Sequence, residues 1–216
     1  MRVARSGVRF KVPCVIPWRR FFFALACALF VFFGGCARDR VHTVRISVHD
    51  QQMVVLRKGV PIATYDVSTS KFGVGDRPGS GATPLGHLEV ARKIGAGAPI
   101  GMKFKNRKPT GEIVPIDAPG RDPIVTRILW LKGLEPRNRR AFGRTIYIHG
   151  TAEERKIGKP ASYGCIRMRS RDVVSLFKTV GVGARVEITT DPLTTPSQRF
   201  IMTPEQRKYL SQHAVP

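Results

Sequence analysis

Apolar and polar side chains alternate along much of the chain after residue 42, and β-branched residues are frequent in these stretches. Alternation with a period of two is typical of half-buried β-strands, and short turn-forming segments such as 49–52 separate the stretches from one another. The pattern therefore predicts one mainly-β domain that begins as an antiparallel meander. The predicted strands are 43–48, 53–59, 61–70, 87–94, 126–134, 144–150 and 184–190.

Segment 170–181 is the best helix candidate, because its apolar residues recur at helical spacing. Ser170 is expected to cap its start and Gly181 to close its end. Residues 95–123 are rich in Gly, Pro and basic residues, which predicts a long irregular connection with short strands. The tail 191–216 is expected to add a short terminal helix. We therefore expect a mainly-β fold with one or two helices.

The first 36 residues have the organisation of a secretory signal. A basic segment ends at Arg20, and residues 21–33 follow with no charged side chain. Thirteen apolar residues are short for a membrane span, which needs about 20. Two small residues and then Cys36 complete a sequence that resembles a bacterial lipobox. We expect export to the periplasm or cell envelope with lipidation of Cys36; a plain secretory signal or an uncleaved anchor are the alternatives.

The net charge of +22 is extreme for an ordinary enzyme, while a hydrophobic fraction of 42% argues against a disordered chain. Residues 1–40 contribute +7, from eight basic residues and one acidic residue, so residues 41–216 carry +15. Such an excess favours a polyanionic partner, with a merely solvated basic surface as the alternative. Export argues against nucleic acid as that partner, and no nucleic-acid-binding motif is present in the sequence.

Cysteine usage narrows the chemistry. Cys14, Cys27 and Cys36 all lie in the leader, so Cys165 is the single cysteine of the body. A lone thiol in an exported protein is either buried and inert or a reactive nucleophile. His149 lies on the predicted strand 144–150, 16 residues before Cys165, and is a candidate base. A Cys–His pair at this spacing is by itself a weak signal.

The sequence around Cys165 strengthens the nucleophile interpretation. Gly164 lets the backbone turn, so that nearby N–H groups can face an oxyanion. The next segment is expected to be the helix, and the basic side chains of Arg167 and Arg169 are expected to lower the pKa of the thiol. No spacing typical of metal ligands occurs among the five histidines, and we expect no cofactor.

Three motifs then carry a resemblance to a known family. They are HGT at 149–151, S-x-G-C-I-R-M at 162–168 and TPLG at 83–86. Together they resemble the L,D-transpeptidase (YkuD-type) catalytic domain, a bacterial cell-wall cysteine enzyme, over roughly residues 43–190. The resemblance implies a β-sandwich or barrel in which Cys165 is the nucleophile and His149 the general base.

The resemblance also implies roles around this pair. The backbone carbonyl of Gly150 would orient the imidazole, and Ser162 and Arg167 would shape the site and engage the substrate. Tyr163 stands where many members of the family have His, and a wall of the groove is its expected role. Simpler interpretations remain beside these, because Ser162 could only stabilise a turn and Arg167 could only form a structural ion pair.

The implied reaction is acyl transfer on peptidoglycan. Cys165 would attack a tetrapeptide stem, release D-Ala and form a thioester, which an amine then resolves as a 3→3 cross-link or as attachment of a protein to the wall. An L,D-carboxypeptidase or endopeptidase of the same fold and a non-catalytic wall-binding lipoprotein are the alternatives. The expected organisation is a signal peptide at 1–36, a linker at 37–42, the catalytic domain at 43–190 and a tail at 191–216. The sequence predicts no oligomeric state.

Overall fold

The computed structural model describes residues 38–120 and 122–193. The predicted signal with Cys36 and the predicted helix of the tail lie outside these residues. Within them, no helix is both long and apolar enough to cross a membrane. The strands are β1 (His42–Ser47), β2 (Gln52–Arg57), β3 (Val60–Asp66), β4 (Gly86–Ile94), β5 (Met102–Lys105), β6 (Lys108–Ile113), β7 (Ile124–Gly133), β8 (Tyr147–Thr151), β9 (Ile166–Met168) and β10 (Arg185–Thr189), and the α-helix is α1 (Ser170–Thr179).

The ten strands form one curled sheet in the order β3-β2-β1-β10-β4-β7-β5-β6, with β8 branching from β7 and β9 pairing with β8. β1–β10 and β8–β9 are parallel pairs, and the other pairs are antiparallel. The mainly-β prediction is confirmed, and the irregular connection contains the hairpin β5–β6. This topology places β8 and β9, which carry the predicted site, side by side.

The largest apolar core lies between one face of the sheet and α1. Leu129, Ile148 and Met168 of the sheet pack in one buried cluster with Val173 and Leu176 of the helix. Burying a side chain of this size stabilises the fold by roughly 1.5 to 3 kcal/mol. The helix thus fixes the position of β8 and β9 by covering their apolar face.

The start of α1 differs from the prediction. Ser170 is the first helical residue instead of its cap, and Arg169 before it makes no side-chain capping bond. The acceptor comes from outside the helix, since the backbone N–H of Ser170 donates to Oε1 of Glu154 at 2.7 Å. The helix also ends at Thr179, two residues before Gly181. The carboxylate of Glu154 therefore accepts a free N–H at the start of the helix, which is the capping role that the sequence assigned to the Ser170 hydroxyl.

A strand rather than the helix directly follows Cys165. Residues 166–168 form β9, which pairs in parallel with β8. Three residues are too few for an alternating pattern to be recognised, so the sequence predicted the helix without the strand before it. This strand pairs Arg167 with His149 and so places Cys165 two residues from the partner of the histidine.

Candidate active site

The parallel pairing of β8 and β9 places His149 and Cys165 on one face of the sheet. His149 lies opposite Arg167, and Cys165 precedes Arg167 by two residues. Side chains two residues apart on an extended chain point to the same side. The opposite face of these strands, with Ile148 and Ile166, is buried in the apolar core. The site face is therefore the one that turns away from α1.

His149 is buried, and its ring is fixed by one backbone contact. Nδ1 lies 2.8 Å from the carbonyl oxygen of Gly150, which is the contact that the family resemblance implies. A carbonyl can only accept, so Nδ1 carries the proton and Nε2 of the neutral ring is an acceptor. Burial lowers the pKa of His149, against the opposing effects of the Gly150 carbonyl and the charge of Asp122. The imidazole is therefore neutral, and able to accept a proton, near pH 7.

Gly150 has a packing reason to be glycine. A Cβ atom at this position would lie 2.7 Å from the carbonyl oxygen of Val125 and 3.2 Å from Cγ1 of Val173. The first contact arises at a bulge in β7, where the pairing with β8 shifts between Val125 and Ile128. The glycine of the HGT motif thus lets β8 lie close to both β7 and α1.

The Cys165 side chain is half-buried and lies directly before the first residue of β9. Its thiol lies 3.5 Å from the carbonyl oxygen of Thr145, to which it donates, and it receives a hydrogen bond from the N–H of Tyr147. Burial raises the pKa of the thiol to about 11, although the Tyr147 N–H and the charges of Arg167 and Arg144 act in the opposite direction. Cys165 is therefore a neutral thiol when the groove holds no substrate.

This outcome corrects the expected effect of the basic neighbours. Arg167 does favour the thiolate, but desolvation outweighs it. The guanidinium of Arg169 lies elsewhere, with Nη1 3.0 Å from Oδ2 of Asp66. A basic residue close in sequence is thus a poor guide to the electrostatic environment of this thiol.

The raised pKa of Cys165 leads to a measurable prediction. We expect the rate of alkylation by iodoacetamide to keep rising between pH 8 and pH 10, because the reactive thiolate is a minor species until about pH 11. A free cysteine, with a pKa of about 8.5, levels off within that range. The measurement is the pseudo-first-order rate by mass spectrometry, with free cysteine as the reference thiol. A plateau for the protein at or below pH 8.5 would contradict the neutral resting thiol.

A rigid turn presents Cys165. The hydroxyl of Ser162 donates to the Cys165 carbonyl at 2.5 Å and accepts the Gly164 N–H at 3.2 Å. Gly164 has φ +116°, a conformation that side chains rarely allow. Thr83, from the TPLG motif, donates from its hydroxyl to the Gly164 carbonyl at 3.1 Å. Ser162 therefore stabilises the turn, and the TPLG segment holds that turn from outside.

Arg167 is buried between two carboxylates. Its Nε lies 3.0 Å from Oδ2 of Asp122, and its Nη1 lies 3.1 Å from Oε2 of Glu153. The other oxygen of Asp122 accepts from the hydroxyl of Thr151 at 2.7 Å. Arg167 thus forms the structural ion pair considered above, opposite His149 in the sheet. Its partners, Asp122 and Glu153, were not among the candidate residues of the sequence analysis.

These residues line one groove of about 930 Å³. Tyr163 lines this groove with 65% of its surface exposed. Within residues 38–120 and 122–193, no three His, Cys, Asp or Glu side chains come close enough together to hold a metal ion. The site residues predicted from the sequence that line the groove are His149, Ser162, Tyr163, Cys165 and Arg167, and Gly150 and Gly164 flank them in the chain.

Parts of this sequence are similar to known proteins. The family model for YkuD, the L,D-transpeptidase catalytic domain, matches residues 42–188. The putative L,D-transpeptidase YqjB of Bacillus subtilis is 55% identical over 49 residues, which are 23% of this chain and 28% of that protein. The probable L,D-transpeptidase YbiS of Escherichia coli is 35% identical over 72 residues, which are 33% of this chain and 22% of that protein. The matched segments thus span less than a third of either relative.

Among solved structures, L,D-transpeptidase 3 from Mycobacterium tuberculosis in complex with a faropenem-derived adduct is similar at a TM-score of 0.45 and 16% identity, over 69% of this chain and 60% of that one. The L,D-transpeptidase of Xylanimonas cellulosilytica is similar at 0.45 and 17% identity, over 77% and 69%. The family model covers well over half of the 216 residues, and its range runs from β1 to the penultimate residue of β10. The chain belongs to the YkuD family of L,D-transpeptidase catalytic domains.

Proposed function

We propose that this protein is a peptidoglycan L,D-transpeptidase that works through a thioester on Cys165. The observation that carries the proposal is the placement of His149, on β8, and Cys165, directly before β9, on one face of the sheet, where both line the same groove. The Nδ1 contact with Gly150 leaves Nε2 as the ring atom of His149 that can accept a proton. This arrangement supports the proposal, because acyl transfer through a thioester needs a nucleophile, a base and a group that orients the base in one groove.

The first half of the reaction starts from a neutral thiol and a neutral imidazole. As the sulfur of Cys165 attacks the carbonyl carbon before the terminal D-Ala of a tetrapeptide stem, its proton passes to Nε2 of His149. The tetrahedral intermediate collapses when the C–N bond breaks and His149 protonates the leaving amine of D-Ala. A thioester between Cys165 and the remaining acyl group is left, and His149 is neutral again.

An amine completes the reaction by attacking the thioester, and it gives a proton to His149, which returns it to the departing sulfur. An amine of a second stem gives a 3→3 cross-link, and a lysine of a protein attaches that protein to the wall. The Tyr147 N–H, which donates to the sulfur, stabilises the thiolate as it forms and leaves. The N–H of Gly164 already donates to the hydroxyl of Ser162 and is not available to the oxyanion of the tetrahedral intermediate. We therefore assign the backbone N–H of Cys165 as the donor to that oxyanion.

The place of action is proposed from the sequence alone. The basic segment, the apolar segment 21–33 and Cys36 support export to the envelope with a lipid anchor in a membrane. The charge of +15 on residues 41–216 supports a location near an anionic polymer or surface. Peptidoglycan stems, which carry carboxylates, are the partner that fits this location.

Product analysis separates the proposed activity from its alternatives. The full-length chain, purified in detergent, is incubated with a disaccharide-tetrapeptide, and the products are identified by mass spectrometry beside those of Cys165→Ala. We expect cross-linked dimers that have lost one D-Ala, and none in the variant. Tripeptide monomers alone would instead indicate the L,D-carboxypeptidase, and an unchanged substrate would favour the non-catalytic wall-binding protein.

A further inference from the structure

An exposed lysine is held in place by two aromatic rings at the rim of the groove. Nζ of Lys71 lies 4.6 Å from the ring centroid of Tyr163 and 5.2 Å from that of Phe72. It also donates to the hydroxyl of Tyr163 at 3.3 Å. The two rings contact each other, with centroids 5.5 Å apart. We call Lys71, Phe72 and Tyr163 the rim cluster. The ammonium group of Lys71 has a defined position, because these three contacts restrain a normally flexible side chain.

The backbone ties the rim cluster to the turn that presents the nucleophile. The N–H of Lys71 donates to the carbonyl of Ser162 at 3.1 Å, and Ser70 and Ser162 form an isolated β-bridge. The ring of Phe72 rests on Gly81, where a Cβ atom would come within 2.8 Å of it. The aromatic rings are nevertheless more than half exposed, at 54% for Phe72 and 65% for Tyr163. Exposed aromatic rings in contact at a groove are suited to bind a ligand.

The charge balance of the groove indicates what kind of ligand the rim cluster takes. Two acidic side chains line the groove, and both are already paired: Asp122 with Arg167, and Glu153 with Arg167 and Lys156. No carboxylate lies within ion-pair distance of Lys71 in the part of the chain that the structure describes. A positioned cation without a counter-charge favours an anionic group on the substrate.

We propose that Lys71 binds the C-terminal carboxylate of the donor peptide, with Tyr163 and Phe72 positioning its ammonium group. This inference rests on the proposed function, because it assumes that the bond cleaved lies before the last residue. The Cα atoms on the two sides of that bond are only about 3.8 Å apart, so the terminal carboxylate stays close to the reacting carbonyl. Lys71 lines the same groove as Cys165, and its backbone N–H bonds the carbonyl of Ser162 in the turn before Cys165, so the groove that would hold the reacting bond also holds this cation.

The consequence is a preference for donors that end one residue after the scissile bond. A charge-assisted hydrogen bond to a free carboxylate is lost when the terminus is an amide, which has no charge. The rim cluster would then act on substrate choice and leave the chemistry of Cys165 and His149 unchanged.

The test compares a tetrapeptide donor that ends in a free D-Ala carboxylate with the same peptide ending in D-Ala carboxamide. We expect the ratio of kcat/KM for the two donors to fall about tenfold in Lys71→Gln, which corresponds to one charge-assisted contact. Tyr163→Phe, which keeps the ring and removes the hydroxyl, should lower the ratio less. Lys178→Gln is the matched control, because it removes one exposed lysine from α1, away from the groove, and should leave the ratio unchanged.

A binding measurement keeps this inference separate from the proposed function. Both peptides are titrated calorimetrically into Cys165→Ala, with and without Lys71→Gln. If the wild type cleaves neither peptide but Cys165→Ala prefers the carboxylate through Lys71, the carboxylate site stands and the proposed reaction fails. An unchanged preference after Lys71→Gln, in turnover or in binding, would overturn the carboxylate site whatever the reaction proves to be.

Discussion

Cys165→Ser is expected to abolish turnover of the tetrapeptide donor while leaving the fold intact. A serine hydroxyl has nearly the volume of the thiol and can keep the contact with the Thr145 carbonyl. It gives up its proton far less readily than a thiol, and His149 is already a weak base because burial lowers its pKa. We expect kcat/KM to fall by roughly 10⁴-fold or more, as when a nucleophile is removed from other acyl-transfer enzymes. Release of D-Ala, followed by mass spectrometry, gives the measurement.

Two controls make the Cys165→Ser result interpretable. The melting temperature of the variant should lie within a few degrees of that of the wild type, because no buried group loses its partner. Ser162→Ala is the matched comparison, since it removes a nearby hydroxyl that holds the turn but takes no part in the proposed chemistry. It should retain measurable activity. Turnover by Cys165→Ser at the rate of the wild type would show that another group is the nucleophile.

The part of the candidate site that could be predicted from the sequence consists of residues that local features single out. The strand before His149, the single cysteine of the body and the glycine before it are local features, and the structure joins them through β8 and β9. The strand β9 itself escaped prediction because three residues show no periodicity. β9 forms because it pairs with β8, and a contact between distant segments leaves no local pattern in the sequence.

The electrostatics of the site were not predictable in the same way. The sequence shows basic residues near Cys165, but it does not show that desolvation governs the thiol. Asp122 lies in an irregular segment, 27 residues before His149, and reaches the site only because the chain folds back there. Lys71 reaches the rim in the same way, from a loop after β3. Tertiary contacts of this kind need the fold before they can be recognised.

Arg167→Gln is expected to destabilise the protein strongly. The guanidinium is 8% exposed, and its partners Asp122 and Glu153 are 4% and 13% exposed. Removing one partner of a buried ion pair leaves charge without compensation and costs about 3 to 5 kcal/mol. We expect the free energy of unfolding, measured by urea denaturation, to fall by that amount. A role in substrate binding alone would change KM and leave the unfolding transition in place.

Arg169→Gln is the matched control for the buried arginine, because Arg169 is 40% exposed and pairs with Asp66, which is 45% exposed. An exposed ion pair contributes at most about 1 kcal/mol, so this variant should unfold at nearly the urea concentration of the wild type. Adding Asp122→Asn to Arg167→Gln should recover part of the lost stability, since it removes the carboxylate that loses its cation, while Glu153 keeps its ion pair with Lys156. Equal losses for Arg167→Gln and Arg169→Gln would mean that the cluster beside His149 does not depend on the arginine charge. Recovery in the double variant would instead show that the positive charge of Arg167 stabilises the burial of Asp122 and Glu153 near His149.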